Sequence, residues 1–271
     1  MRVFEKRANS RVKRWGLEFE RELYVRVLDP LTGDLSNREH VLHSIKSNHW
    51  FRRTLRLPFV QAPTLYARMQ QDDTFLQRNT SILDQIMRIL LWFRSLGITH
   101  HDLHLNNILV VAHPIMEALY DVAPVTLCRP YHVLVIDFDH ATKIPSPCNA
   151  IRIQNKSLDK QWHRLGEYNQ PTSGFDWFTF LCGMCTTYAQ GGKHALEYMG
   201  LVHVRTFFAT LSLVYPGRPM WAQSHTPVHF ARYLDDLADV YARVSRTKVH
   251  CRIRALAILA QHRAISPVIP K

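Results

Sequence analysis

Two short apolar runs, each joined to a polar residue at one end, constrain this chain more than any other feature. Residues 98–111 read Ile-Thr-His-His-Asp-Leu-His-Leu-Asn-Asn-Ile-Leu-Val-Val. They set Asp102 and Asn107 just ahead of a β-type stretch. A second stretch, Val-Leu-Val-Ile, runs directly into Asp137-Phe138-Asp139. Paired strands of this kind deliver hard oxygen donors to one sheet edge. Such donors suit a metal ion that also carries phosphate oxygens.

The flanking pattern places this edge in a larger fold. Ile82, Ile86, Ile89, Leu90 and Phe93 recur at helical spacing, and Gly97 follows as a C-cap. Ser81 with Asp84 predicts a capping box at the start of that helix. The pattern then predicts a loop over 100–107, a strand over 108–112, an irregular insertion over 113–130, and a strand over 132–136. A long polar loop reaches about 174, and a buried helix runs from Asp176 to about Tyr188. Upstream, alternating apolar positions over 1–30 (Leu17, Phe19, Leu23, Val25, Val27) predict two or three strands, with turns at 8–10 and 15–16. Residues 29–34 read as a loop and Asn37–Ile45 as a helix. Residues 58–69 read as a strand pair broken at Pro63, and 70–73 as a polar linker. Beyond Tyr188 the chain reads as helices broken at 216–219 and Pro227.

Bulk properties narrow the setting. With 271 residues and 46% hydrophobic content, the chain has enough material for one large domain or two lobes. Five cysteines, an odd and sparse set, argue against a disulfide framework. No stretch reaches the roughly 18–20 apolar residues a membrane span needs. The expectation is a soluble intracellular protein of cytoplasm or nucleus. The net charge of +12 is concentrated at both ends. Residues 2–14 hold six basic residues against Glu5, and residues 240–271 hold seven basic residues and no acid. Such ends attract anionic partners, nucleic acid among them, without choosing between them.

The order helix, His100-x-Asp102-Leu103-x-x-x-Asn107, strand, strand, Asp137-Phe138, long loop, buried helix opened by Asp176 resembles the protein-kinase-like superfamily. The resemblance covers residues 80–190. It implies an α+β bilobal fold, with a reduced β-rich N-terminal lobe (1–70) and a mainly helical C-terminal lobe (71–271) forming a single kinase-like domain. It implies ATP and Mg2+ as cofactors and a protein substrate. By the same resemblance Asp102 is the catalytic residue that takes the acceptor hydroxyl proton, and Asn107 and Asp137 are the metal ligands. Asp176 braces the loop from below, with His100 packed beneath it. Arg26 stands where the ATP-anchoring Lys is expected, with Glu39 as its ion-pair partner and Lys13 as another candidate cation. Met69 to Asp72 would be the linker whose backbone meets the adenine.

Several residues depart from that pattern. No Gly-x-Gly-x-x-Gly occurs. His101 replaces the usual Arg before the catalytic Asp, His104 replaces a frequent Lys, and Asp139 replaces the Gly of Asp-Phe-Gly. Three functions remain open at this level. The first is a divergent serine/threonine-type protein kinase. The second is a small-molecule kinase of the aminoglycoside or choline type, suggested by His104 and Asp139. The third is a pseudokinase binding or scaffold module, suggested by the missing glycine loop and anchoring Lys. A metal-hydrolase site at His100, Asp102 and His104 lacks H-E-x-x-H. Cys182-x-x-Cys185 lies on a buried helix without a second pair at zinc spacing. The six tryptophans form no spaced series for stacking nucleic acid.

Overall fold

Gln85, a buried amide on an otherwise apolar helix, shows how the centre of the molecule is closed. The computed structural model describes residues 3–7, 11–29, 40–42, 54–113, 115, 130–146, 149–154 and 174–199. Its central feature is an antiparallel pair, β4 (Ile108–Ala112) and β5 (Tyr131–Val135), in register from Ile108 opposite Val135 to Ala112 opposite Tyr131. Both strands are almost wholly buried and accordingly read as continuous apolar runs. A two-stranded ribbon leaves edge groups that must be paired. Gln85 accepts from Val133 N and donates to Tyr131 O, both at 3.0 Å, in the manner of a third strand. Farther along the same strand, Val135 N donates to His40 O and Val41 bridges Val135 in parallel. The free edge of β4 is met by Pro63 O, which accepts from Val110 N, and by a bridge from Thr64 to Leu109.

Gln85 lies on α4 (Ser81–Leu96), whose buried stripe includes Ile82, Ile86, Ile89, Leu90 and Phe93 as the spacing predicts. The helix ends at Gly97 in the left-handed region, φ 71°. A Cβ there would lie 2.3 Å from Ile144 O, so both the conformation and the space require glycine. Gly97 O also accepts from Ile144 N, which fixes β3 (Ile98–Thr99) beside β6 (Thr142–Lys143). The capping box does not form. Thr80 is the N-cap without a side-chain bond, and Asp84 instead accepts from Tyr198 OH at 3.2 Å.

The strands expected over 1–30 are corrected to one strand and one helix. β1 (Val3–Arg7) pairs antiparallel with β2 (Thr54–Pro58), Lys6 opposite Leu55. Then α1 (Arg11–Leu23) continues as a π-helical turn over Tyr24–Leu28. Leu17, Phe19, Leu23, Tyr24, Val27 and Leu28 are buried, a three-and-four spacing that makes a helical stripe. The odd-numbered alternation misled because Val25, half of its apparent strand face, points outward at 53% exposure.

The strand pair expected over 58–69 is also corrected. Residues 59–63 form no strand, with Ala62 N donating to Val60 O in a tight turn, and α2 (Leu65–Gln71) follows, capped by Thr64 Oγ1 accepting from Ala67 N. Residues 70–71 therefore close a helix instead of forming a linker. A short α3 (Phe75–Arg78) leads to α4. On the C-terminal side lie α5 (Gly174–Thr186) and α6 (Gly192–Tyr198). The helix expected over 37–45 falls outside the described residues except at 40–42, which are not helical. Most of the 113–130 insertion and the helices expected beyond 199 also lie outside them. No helix among the described residues is long and apolar enough to cross a membrane.

Candidate functional site

The β4–β5 register brings the two polar sequence signals together. Ile136 N donates to Asn107 O at 3.1 Å, so Asn107 and Asp137 stand at the same end of the ribbon. Asn107 donates its side-chain amide to Asp102 twice, at 2.8 Å to the main-chain oxygen and at 3.2 Å to Oδ2. Its acceptor oxygen is therefore the end available to a cation. The loop bonds to itself as well: His104 N donates to Asp102 O at 2.8 Å, and Asn107 N to His104 O at 2.9 Å.

Asp176 holds the loop from beneath. Its two carboxylate oxygens accept from His100 N at 2.8 Å and His101 N at 2.9 Å. This pincer supports a strained backbone, since His101 has φ 64°. Among the described residues His101 and Asp137 are the two non-glycine residues with positive φ. Leu105 anchors the far side of the loop against α5. A Cβ on Gly183 would lie 2.7 Å from Leu105 Cγ, so the glycine between Cys182 and Cys185 makes room for the loop. Cys185 itself is half-buried and joins no disulfide among the described residues.

His100 is fully buried, with both ring nitrogens engaged. Nε2 lies 3.0 Å from Ile136 O, and Nδ1 accepts from Asp102 N at 3.3 Å. Burial pushes its pKa down to about 4, as fits a neutral ring with an accepting Nδ1. Those contacts leave His100 no nitrogen for a metal, against the metal-hydrolase reading. Its ring lies 4.8 Å from that of Phe138, which in turn meets Tyr24 at 5.8 Å and Phe93 at 5.6 Å. The stack ties α1, the Asp137 turn and the loop into one unit.

Against the Asp137 turn stands a pair that sequence reasoning missed. Lys6 of β1 lies 2.9 Å from Glu20 of α1 and also bonds Asp137, with Asp139 at 3.7 Å. Glu20 is 1% exposed and accepts from Phe138 N at 3.1 Å, so it joins Lys6 to the Asp137 turn. Burial opposes the charge on Lys6, but Glu20, Asp139 and Asp137 outweigh it and hold the ammonium above its ordinary range. Burial raises Glu20 to about 7, with Lys6 pulling it back. The signal was present in the sequence: an acid within the stripe Leu17-Phe19-Glu20-Leu23-Tyr24 faces inward and needs a cation.

Arg26 and Glu39 are not brought into the site. Arg26 lies on the exposed face of the π turn, paired with Glu22 one turn back at 2.5 Å, and Glu39 lies outside the described residues. The Lys13 side chain lies outside them too. Met69 is fully buried within α2, packed in the core instead of lining a cleft.

This end of the ribbon thus gathers Lys6, Glu20, Asp102, Asn107, Asp137 and Asp139. Burial raises Asp102 above the usual carboxylate range; His104 and His140 lower it, and Asp137 and Asp139 raise it. His104 Nε2 lies 3.5 Å from Asp102 Oδ2. Among the described residues no three His, Cys, Asp or Glu side chains converge as a complete metal cage. The donors fit a hard cation that takes one carboxylate and one amide oxygen from protein and the rest from water and phosphate, which is how magnesium is usually held.

The chain is similar to kinase domains. A structure of the Rad53 kinase domain and SCD2 aligns at 19% identity over 64% of this chain, with a TM-score of 0.35. The match spans 52% of that structure, about half its length. The kinase domain of PF14_0431 aligns at 14% identity over 96% of this chain and 86% of its own, with a TM-score of 0.45. WaaP, in a complex with acyl carrier protein, aligns at 13% identity over 88% and 79%, with a TM-score of 0.39. No protein-family model and no curated protein sequence matches the chain. The case for a function stands on the residues of the site themselves.

Proposed function

We propose that this chain is an ATP- and magnesium-dependent phosphotransferase that acts on a serine or threonine hydroxyl of a protein substrate. The observation that carries the proposal is Lys6 held between Glu20 and Asp137, at the end of the ribbon that also carries the Asp102–Asn107 loop. A lysine ion-paired to a helical glutamate, together with a metal-binding aspartate after a strand, is the arrangement phosphoryl transfer needs on the nucleotide side.

In this reading the Lys6 ammonium anchors phosphate oxygens and Glu20 keeps it aimed. Asn107 and Asp137 would hold magnesium, which neutralises the charge of the transferring phosphoryl group. Asp102 orients the acceptor hydroxyl and accepts its proton; burial raises its basicity toward that task. Adenine is assigned to the non-helical segment 59–63 in place of Met69–Asp72. That segment runs from β2, the partner of the Lys6 strand, to Pro63 and Thr64 on β4. The choice of a protein acceptor rests on the loop order His100-x-Asp102-Leu103-x-x-x-Asn107.

The pseudokinase alternative rested on the absence of a glycine-rich loop and of an anchoring lysine; in this reading Lys6 takes the second of those places. The acceptor class is tested by supplying magnesium and labelled ATP with mixed protein acceptors, and separately with a panel of small alcohols and amino sugars. Label on protein serine or threonine is expected. Label on small alcohols alone would move the assignment to a small-molecule kinase.

A further inference from the structure

A cavity of about 370 Å³ opens between α2, α3 and the start of β5. It lies at the opposite end of β5 from Asp137, roughly 20 Å away at about 3.3 Å per residue. Arg68 forms its floor. The guanidinium carbon sits 5.8 Å from the Phe75 ring centre and 5.7 Å from that of Tyr131, and the two rings pack edge to face at 5.5 Å. Its Nε is buried without a hydrogen-bond partner, and among the described residues the guanidinium makes no ion pair.

A guanidinium stacked on aromatic faces keeps its edge for in-plane acceptors, and that fork matches a carboxylate or phosphate. The guanidinium lines the cavity without an ion-pair partner among the described residues, so an oxyanion on the cavity side would supply one. Asp72 also lines the cavity. Its carboxylate accepts from Thr74 N at 3.1 Å and Thr74 Oγ1 at 2.7 Å and pairs with Arg78. Arg78 offsets that charge, which leaves Arg68 to set the sign. The cavity is at the small end of ligand sites, sized for a side chain or two. Exposed Gln71 at its rim offers an amide to a peptide backbone. Arg68 and Arg78 against Asp72 leave the lining with one net positive charge, which favours an acidic partner.

We propose that this cavity docks an oxyanion-bearing peptide segment of a partner protein, with Arg68 taking the oxyanion through two parallel N–H bonds. The site is independent of phosphotransfer. The test is fluorescence anisotropy on the full chain with three labelled peptides of one sequence, carrying glutamate, phosphoserine or glutamine at the central position. Arg68→Gln is compared with Arg152→Gln, which removes the same charge from an exposed position on another segment. Arg68→Lys keeps charge and stem but loses the fork, and serves if Arg68→Gln fails to fold. The expected result is roughly tenfold or greater weakening by the Arg68 changes, less than about twofold by Arg152→Gln, and weak binding of the glutamine peptide. The tighter of the two charged peptides names the source of the oxyanion. Equal weakening at both positions, or equal binding of the uncharged peptide, overturns the proposal.

Discussion

Lys6 and Glu20 meet at 2.9 Å, although one lies on a strand and the other on the following helix. Glu20 is sealed from solvent, so this contact fixes α1 against β1 as well as aiming a cation at Asp137. Removing one partner of a buried ion pair leaves the other desolvated and alone, which typically costs about 3–5 kcal/mol. Lys6→Met should therefore lower stability by about 3 kcal/mol in urea unfolding. Lys6→Met with Glu20→Gln should recover most of that loss. Neither variant should recover phosphotransfer, because the pair is proposed to hold phosphate. Loss of stability with unchanged turnover would confine the pair to a structural role.

The Asp176 pincer predicts a local effect. Asp176→Ala removes both acceptors under His100 and His101, leaving two N–H groups without partners and a positive-φ backbone without support. Native-state hydrogen exchange should speed at these two amides by roughly a hundredfold, while amides in the middle of α4 stay protected. Exchange that rises equally throughout would mean that Asp176 supports the whole fold and not the loop in particular.

Acid should destabilise the protein partly through His100. Its pKa falls from 6.5 to about 4 on folding, so the unfolded chain binds more protons across that window. The neutral ring contributes its full stability above pH 6.5, and that contribution is lost as pH falls through about 4. The displacement is on the order of 3 kcal/mol. Glu20 acts in the opposite sense, since its raised pKa favours the fold as pH drops from about 7 toward 4.5. The contribution of His100 is therefore read as a difference between wild type and His100→Phe. Unfolding midpoints should fall more steeply between pH 6.5 and 4.5 in the wild type; parallel profiles would refute a buried neutral His100.

Gly183 should matter through Leu105. Gly183→Ala places a methyl 2.7 Å from Leu105 Cγ and should cost roughly 1–2 kcal/mol by overpacking. Leu105→Ala in the same chain should relieve much of the clash. Additive losses in the double variant would show that the two positions do not compete for space.

The C-terminal half of the site was legible because its signals are local. The runs at 108–112 and 131–135 are fully buried strands, so their apolar character is continuous, and Asn107 and Asp137 mark their ends. Asp176 was legible too, as the one acid opening a strongly apolar helix. The N-terminal half depends on distant pairing, which spacing alone does not reveal. Arg26 looked plausible as the anchor because residues 23–27 alternate like a strand, yet Tyr24 and Val27 share a helical face. Met69 looked like a linker because polar residues follow it, yet it faces the core of α2. A test for period 3.6 over residues 16–28, with Glu20 noted on the apolar face, would have identified the helix and its buried acid.

The central claim, that this site transfers phosphate, is tested most directly by single-turnover transfer from labelled ATP with magnesium, in wild type and Asp102→Asn, after ATP binding has been measured separately for each. The substitution keeps the side chain's shape and removes its basicity. Binding should be nearly equal, and the transfer rate should fall by roughly 10²–10⁴. Equal rates in the two proteins, or no transfer by a wild type that binds ATP and magnesium, would contradict the account.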